Sequence, residues 1–346
     1  MSENRLAVFA GPRRIELRSE PMPVLAPGEA LVRLRACGLC TMERRLWSGL
    51  QNDYPIAPGH EAAGLVEAVH PEGVHEIKGG EQVVIAFLDR CMQCFYCRRG
   101  DTHLCTGKLQ ARIAGCLRRI GGLADYAAVP ASKLFILPRT LPYDEMALAE
   151  PLACVIHSVH KAEPRLGDDV LVVGAGTMGQ LHLLVAKLRG ARVFVSDPSP
   201  AKLRVALAQG AKGAFDPEDA VTGIRHHTGG RGADVVFVTF GSAEAAKQAA
   251  GAVRRGGRIV YYASFASDAE AGIEPHRLHL EETRLEGARS QTMRDWTEAT
   301  RLLANGIIRA GFLVSARYPL ERLEEALERA LEPDSYRVMV TSQEDP

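Results

Sequence analysis

The stretch Val170–Gly179, VLVVGAGTMG, decides how the rest of the chain is read. Four consecutive apolar residues describe a strand buried on both faces, as in a parallel sheet. They run into Gly174, Ala175, Gly176, Thr177, Met178 and Gly179, a G-x-G-x-x-G, and then into a helical segment that closes at Gly190, a candidate C-cap. Alone the glycine pattern is weak; between a strand and a helix it marks a dinucleotide site. The glycines allow a tight turn and close backbone approach, so that pyrophosphate can rest on the helix N-terminus. The following strand, ARVFVSD, ends in Asp197, about 20 residues past the glycines, where an acidic residue accepts from the ribose hydroxyls. A carboxylate there repels a 2′-phosphate, so NAD is expected over NADP, with Lys202 and Arg204 the nearby cations that could soften the preference.

Working outward, strand and helix keep alternating: PAKLRVALAQG, ADVVFVTFGS and GGRIVYYAS continue the pattern of a doubly wound α/β sheet, assigned here to residues 154–292. Before Glu150-Pro151 the character differs. Val32, Leu34 and Ala36 alternate with Arg33 and Arg35, and PMPVLAPGE, YPIAPGHE and KGGE are turn clusters, so this part reads as a β-rich domain with functional loops. From about Thr292 two amphipathic helices return, Leu320, Leu323, Leu327 and Leu331 sharing one face of the second, and YRVMVTS reads as a strand. Residues 1–153 and 293–346 are therefore grouped as one domain.

Lys+Arg and Asp+Glu are equal at 42 each, which argues against nucleic acid or an anionic membrane as partner. Every strongly apolar run is broken too early to span a bilayer, and the start lacks the order of a secretory signal, so a cytoplasmic protein is expected. In such a chain, clustered cysteines indicate metal or redox chemistry more than disulfides. CMQCFYCRRGDTHLC places Cys91, Cys94, Cys97 and Cys105 at C-x2-C-x2-C-x7-C, within a lobe of about residues 88–108. Four thiolates in one short loop suit a closed structural zinc site, and the bacterial iron–sulfur spacing is not met.

A catalytic zinc keeps one position open and needs three protein ligands. Cys40 and His60 offer a thiolate and an imidazole, and either Glu61 or Glu150 could supply the third. Singly, each has a plainer reading: an inert thiol, a structural histidine, a carboxylate at a helix start. Beside a nicotinamide fold they converge on a metal.

With these residues in place the chain resembles the zinc-dependent medium-chain dehydrogenase/reductases, nearest the polyol (sorbitol-type) and threonine dehydrogenase branch. CGLC, GHEAAG, the four-cysteine lobe, EPLA with IH, GAGTMG, Asp197 and GADVVF follow in the family's order over almost the whole chain. The resemblance implies a GroES-like catalytic domain beside a Rossmann domain, with zinc at Cys40, His60 and Glu61 and with Glu150 in the remaining position. Alcohol dehydrogenases proper carry a cysteine at that last position. Cys37 is then no ligand. Glu43 stands for the family's Asp and would orient His60.

The chain departs from the family at Met42, where Ser or Thr usually passes on the alcohol proton. Thr41, Glu61, Glu150 or a water are the substitutes. Arg44, Arg45 and Trp47 replace residues lining the sorbitol-type pocket; the two arginines either recognise a carboxylate or phosphate or form a solvated turn. The implied reaction is NAD-linked oxidation of a secondary alcohol on a polyol, cyclitol or sugar. The alternatives are a 3-hydroxy amino acid such as threonine, a zinc-free reductase, and a zinc-ribbon protein binding nucleic acid, which the neutral charge disfavours. Family members assemble as dimers or tetramers, and Leu285–Ser290 is the candidate edge.

Overall fold

A computed structural model describes residues 3–73, 76–107, 118–119, 121–266, 269 and 274–342. Cys116 and residue 108, at the end of the expected zinc lobe, lie outside these. The chain divides into two compact units, residues 1–151 with 292–346, and residues 152–291.

The second unit is built on six strands, all parallel, in the edge-to-edge order Gly213–Phe215, Arg192–Ser196, Asp169–Val173, Ala233–Val238, Val253–Tyr261, Arg284–Gly287. The third strand in this order comes first in the chain, so the winding reverses beside it, the place where such sheets bind nucleotides. Its residues Asp169–Val173 are all buried, which is why the sequence there runs apolar without alternation. Helices follow the strands with local start signals: Ser199 caps Pro200–Ala208 through Lys202 N–H, and Ser242 caps Ala243–Ala252 through Ala245 N–H. Arg284–Gly287, which overlaps the expected LEGARS edge, is the outer strand at its end of the sheet among the described residues.

The first unit is β-rich. Its larger sheet runs Val314–Tyr318, Arg337–Thr341, Glu29–Leu39, Glu61–Val69, Gln82–Ala86, Leu134–Ile136, with Tyr126–Pro130 also paired to Glu29–Leu39. The register matters for the site: Gly38 faces Glu61 across one strand pair, and Leu39 faces Val338 across the next. Between the sheets, Leu6, Phe9, Val32, Leu46, Ile56, Ile85 and Leu327 form the core. Arg35 is buried in this unit, so the alternation read along Val32–Ala36 does not mark a solvent face there.

Two short elements differ from the expected turns. Thr41–Trp47 is a helix, and His60 leads straight into the strand Glu61–Val69. The second predicted C-terminal helix begins as a 3-10 turn at Leu320–Arg322 before Leu323–Leu331. Leu320, Leu323 and Leu327 are buried.

Candidate active site

Cys40 is the N-cap of the helix Thr41–Trp47, with extended backbone, and its Sγ accepts the Met42 N–H at 3.1 Å. Three residues on, Glu43 reaches back and accepts the Cys40 N–H at 3.0 Å, completing a capping box in which a thiol takes the place of a hydroxyl. Its other oxygen accepts the Gly59 N–H at 3.1 Å and lies 3.5 Å from His60 Nδ1. One fully buried carboxylate thus ties together the helix start, the turn before His60 and the imidazole. Burial opposes its ionisation, but His60 and these hydrogen bonds hold the Glu43 carboxyl down at about 2.

The turn itself admits only glycine at position 59. Gly59 has φ +97°, and a Cβ there would lie 2.5 Å from the Leu123 nitrogen. The result places His60 Nε2 3.4 Å from Cys40 Sγ. Tetrahedral geometry sets an imidazole nitrogen and a thiolate on one zinc about 3.5 Å apart.

His60 also meets two further carboxylates: ligand atoms of His60, Glu61 and Glu150 all lie within 4.8 Å of one another, as do those of Cys40, Glu43 and His60. Glu150 comes from the first turn of the helix Ala149–Ala162. Glu61 opens its strand beside Gly38, whose missing side chain is what leaves room: a Cβ there would come within 2.3 Å of Glu61 Oε2. Arg337 Nε sits 2.9 Å from that oxygen, while Arg337 Nη1 donates to the Leu39 carbonyl at 3.1 Å. Burial, with Glu150 adding and Arg337 opposing, raises the Glu61 carboxyl to about 7. Burial, with the charge of Glu43 next, pushes the Cys40 thiol up to about 12. A thiolate at this place therefore calls for a cation, and buried His60 Nδ1 and Glu61 Oε2 have no well-formed hydrogen bond. A soft thiolate, an imidazole and carboxylates suit zinc.

Sequence reasoning named Cys40, Glu43, His60, Glu61 and Glu150, and the fold brings all five together. It missed Arg337 and Gly38. The available signal was an arginine opening the otherwise apolar strand Arg337–Thr341 and a glycine inside a strand. Cys37 is buried and belongs to no metal-capable group among the described residues. Met42 packs against the hydrophobic core and Thr41 is exposed. Trp47 also belongs to the core: it is buried, and its Nε1 donates to Glu328 at 2.7 Å.

Cys91, Cys94, Cys97 and Cys105 form a second, separate group, again with sulfurs within 4.8 Å. Backbone amides aim at these sulfurs: Cys94 N–H at Cys91, Cys97 N–H at Cys94, and Cys91 and Gly107 N–H at Cys105. The amides of Cys97 and Thr106 draw the Cys94 thiol down to about 5, whereas burial pushes Cys97 up to about 12. Such amide-supported sulfur clusters fit a closed tetrahedral ion.

In the second unit the glycines do what their spacing implied. Gly174 has φ +100°, and a Cβ on Gly179 would come within 1.8 Å of the Gly174 oxygen, so strand and helix approach at backbone contact. Gly176, the N-cap of Thr177–Leu188, has open space where its Cβ would be. Thr177 and Met178 begin that helix. Asp197 Oδ2 accepts the Ala175 N–H at 2.7 Å and Oδ1 the Ser199 N–H at 2.8 Å, so the carboxylate also braces the glycine turn. Lys202 lies in the first turn of the next helix.

These two arrangements match known proteins. Residues 26–139 fit the alcohol dehydrogenase GroES-like domain, and residues 177–305 fit the zinc-binding dehydrogenase domain. Along 95% of this chain and 96% of its own length, the L-galactonate-5-dehydrogenase of Escherichia coli (strain K12) is 30% identical. The chain belongs to the zinc-dependent medium-chain dehydrogenase/reductases.

A solved Sinorhizobium meliloti 1021 protein carrying NADP superposes with a TM-score of 0.91 at 29% identity, over 99% of this chain and 100% of that one. L-Idonate 5-dehydrogenase of E. coli K-12 does so with 0.88 at 26% identity, over 99% of each chain. This dehydrogenase is accordingly a zinc-dependent alcohol oxidoreductase with a GroES-like domain and a Rossmann-like parallel sheet, and the reading as a nucleic-acid-binding zinc ribbon is set aside.

Proposed function

We propose that the enzyme oxidises a secondary alcohol of a polyhydroxylated substrate (a polyol, cyclitol or sugar) reversibly to the ketone, with NAD as hydride acceptor. The observation carrying this reading is the 3.4 Å approach of Cys40 Sγ and His60 Nε2 beside two buried carboxylates. Zinc bound there supplies Lewis acidity that lowers the pKa of an alcohol hydroxyl. We assign Cys40, His60 and Glu150 as its ligands, with Glu61 beside them and next to Arg337. Glu43 is a positioning residue that holds His60 and the Cys40 helix in register. With the thioether of Met42 turned to the core, the Glu61 carboxylate receives the hydroxyl proton. Cys91, Cys94, Cys97 and Cys105 hold a second, structural zinc.

Gly174, Gly176, Thr177, Met178 and Gly179 form the turn on which the pyrophosphate rests, and Asp197 favours NAD, with Lys202 beside it. The relatives named L-galactonate-5-dehydrogenase and L-idonate 5-dehydrogenase support the choice of a sugar-derived substrate. No helix among the described residues is long and apolar enough to cross a membrane. We place the protein in the cytoplasm, as a homodimer or homotetramer joined through the Arg284–Gly287 edge.

The test is a screen of NAD and NADP reduction across polyols, cyclitols, sugar acids and amino alcohols, before and after chelation. Zinc-dependent oxidation of a polyhydroxylated secondary alcohol is expected. Unchanged turnover after complete metal removal, or activity confined to threonine, would overturn the assignment.

A further inference from the structure

Arg44 lies one helical turn past Cys40, its N–H donating to the Cys40 carbonyl at 3.2 Å. The residue is partly buried, and its Nε is shielded from water with no hydrogen-bond partner. Buried donors in native proteins are almost always paired, and one that is not calls for an explanation. The other arginine of this site, Arg337, differs in having a carboxylate beside it, with Glu61 Oε2 2.9 Å from its Nε and the Leu39 carbonyl accepting from its Nη1. Arg13, Arg317 and Arg329 of the same unit have carboxylate partners, while no acidic residue pairs with Arg44 among the described residues.

Arg44 also lies within electrostatic range of both Arg337 and Cys40; burial and then Arg337 lower its pKa, and Cys40 raises it. Among the described residues no carboxylate is paired with this cation. A planar guanidinium with free N–H groups is the side chain suited to bidentate capture of a carboxylate or phosphate.

We propose that Arg44 binds an anionic group, carboxylate or phosphate, on the alcohol substrate, so that the enzyme acts on sugar acids or phosphorylated polyols in preference to neutral polyols. This rests on the proposed reaction and narrows its substrate class. Arg44 is a specificity residue that contacts the far end of the substrate while its hydroxyl is held near Cys40 and His60. Trp47, read from the sequence as part of the same pocket, has no share in this, since it is spent on the core.

The experiment uses the full-length, zinc-loaded enzyme and its Arg44→Gln and Arg44→Lys variants. Steady-state kinetics are measured with hexonates, the hexitols of the same configuration and their monophosphates, each with cofactor varied independently. A lost charge-assisted pair corresponds to ~10–100-fold. The wild type is expected to prefer an anionic substrate over its neutral counterpart by at least about tenfold. Arg44→Gln should erase that preference, mainly through KM for the anionic substrate, and Arg44→Lys should restore part of it. Hexonates against hexitol phosphates decide which anion is the partner. Calorimetric titration of the same compounds into the wild type and Arg44→Gln, in the presence of NADH, gives a readout independent of turnover: binding by the first and its loss in the second are expected.

Equal losses on neutral and anionic substrates, a rise confined to the cofactor KM, or a wild type that neither binds nor prefers anions would each overturn the inference. Oxidation of neutral hexitols alone removes the inference and leaves the reaction standing. Failure of every alcohol to be oxidised removes the reaction itself.

Discussion

Arg337→Met isolates the contact that holds the site's second carboxylate. Arg337 is 6% exposed and Glu61 1%, with Nε and Oε2 2.9 Å apart, on the two strands that flank Glu29–Leu39 in one sheet. Methionine keeps much of the arginine's length and apolar stem but leaves the Glu61 charge without its counterion. Breaking one side of a buried pair costs about 3–5 kcal/mol, because the remaining charge stays desolvated. Removing both charges costs much less, so Glu61→Gln added to Arg337→Met should recover a good part of the loss.

The chain's two tryptophans, Trp47 and Trp296, both belong to the first unit, so fluorescence in urea follows that unit's transition without contribution from the second. With a slope of about 2–3 kcal/mol per M, the single variant should lower the midpoint by about 1–2 M at fixed, measured zinc content. A midpoint within about 0.3 M of wild type would refute the reasoning. So would a double variant that loses the sum of the two single effects, since that would mean the two side chains do not act on each other.

Other consequences follow from the same geometry. Gly59→Ala places a side chain at φ +97° and against the Leu123 backbone, so His60 should be displaced; zinc analysis should find the catalytic ion lost and the four-cysteine ion kept. Cys94→Ser removes one of four clustered sulfurs and should lower bound zinc by one ion per chain and reduce the melting temperature, read by metal analysis beside calorimetry.

Asp197→Asn removes the charge but keeps one acceptor for the Ala175 amide, and should lower the NAD/NADP ratio of kcat/KM by about tenfold or more; an unchanged ratio would remove Asp197 from cofactor choice. His182 is fully buried, with Nδ1–H donating to the Met178 carbonyl at 2.8 Å and Nε2 3.0 Å from the Ser158 hydroxyl. Burial lowers its pKa from 6.5 to about 4. Between those values the unfolded chain binds more protons, so stability present above pH 6.5 is lost as pH falls toward 4, by about 3 kcal/mol. Calorimetry from pH 7 to 4 should show this slope in the wild type, and His182→Phe should flatten it.

What could be read from the sequence alone was what the chain encodes within a few consecutive residues. The glycine turn at 174–179 is bounded by its own strand and helix, and the four cysteines sit in one short loop, so spacing implies geometry directly. The strand–helix alternation and the coupling of a β-rich part to a parallel sheet were legible for the same reason. Cys40, His60 and Glu150 are far apart in sequence, and it was the resemblance, more than the spacing, that joined them. The short helix at Cys40 escaped notice because seven residues carry little periodicity and its cap is a thiol instead of a hydroxyl.

Arg337 and Gly38 left only a faint signal in the sequence, an arginine in an apolar strand and a glycine within another. Their roles arise only when the strands Arg337–Thr341, Glu29–Leu39 and Glu61–Val69 align, bringing a guanidinium from the end of the chain onto a carboxylate from its first part, over a residue without a side chain. Likewise, Arg44 reads as one of two adjacent arginines in the sequence, and only packing reveals a shielded Nε for which no described residue is an acceptor. Local chemistry is written in spacing; burial, pairing and the absence of a partner are properties of surfaces brought together in space, and only the tertiary structure decides them.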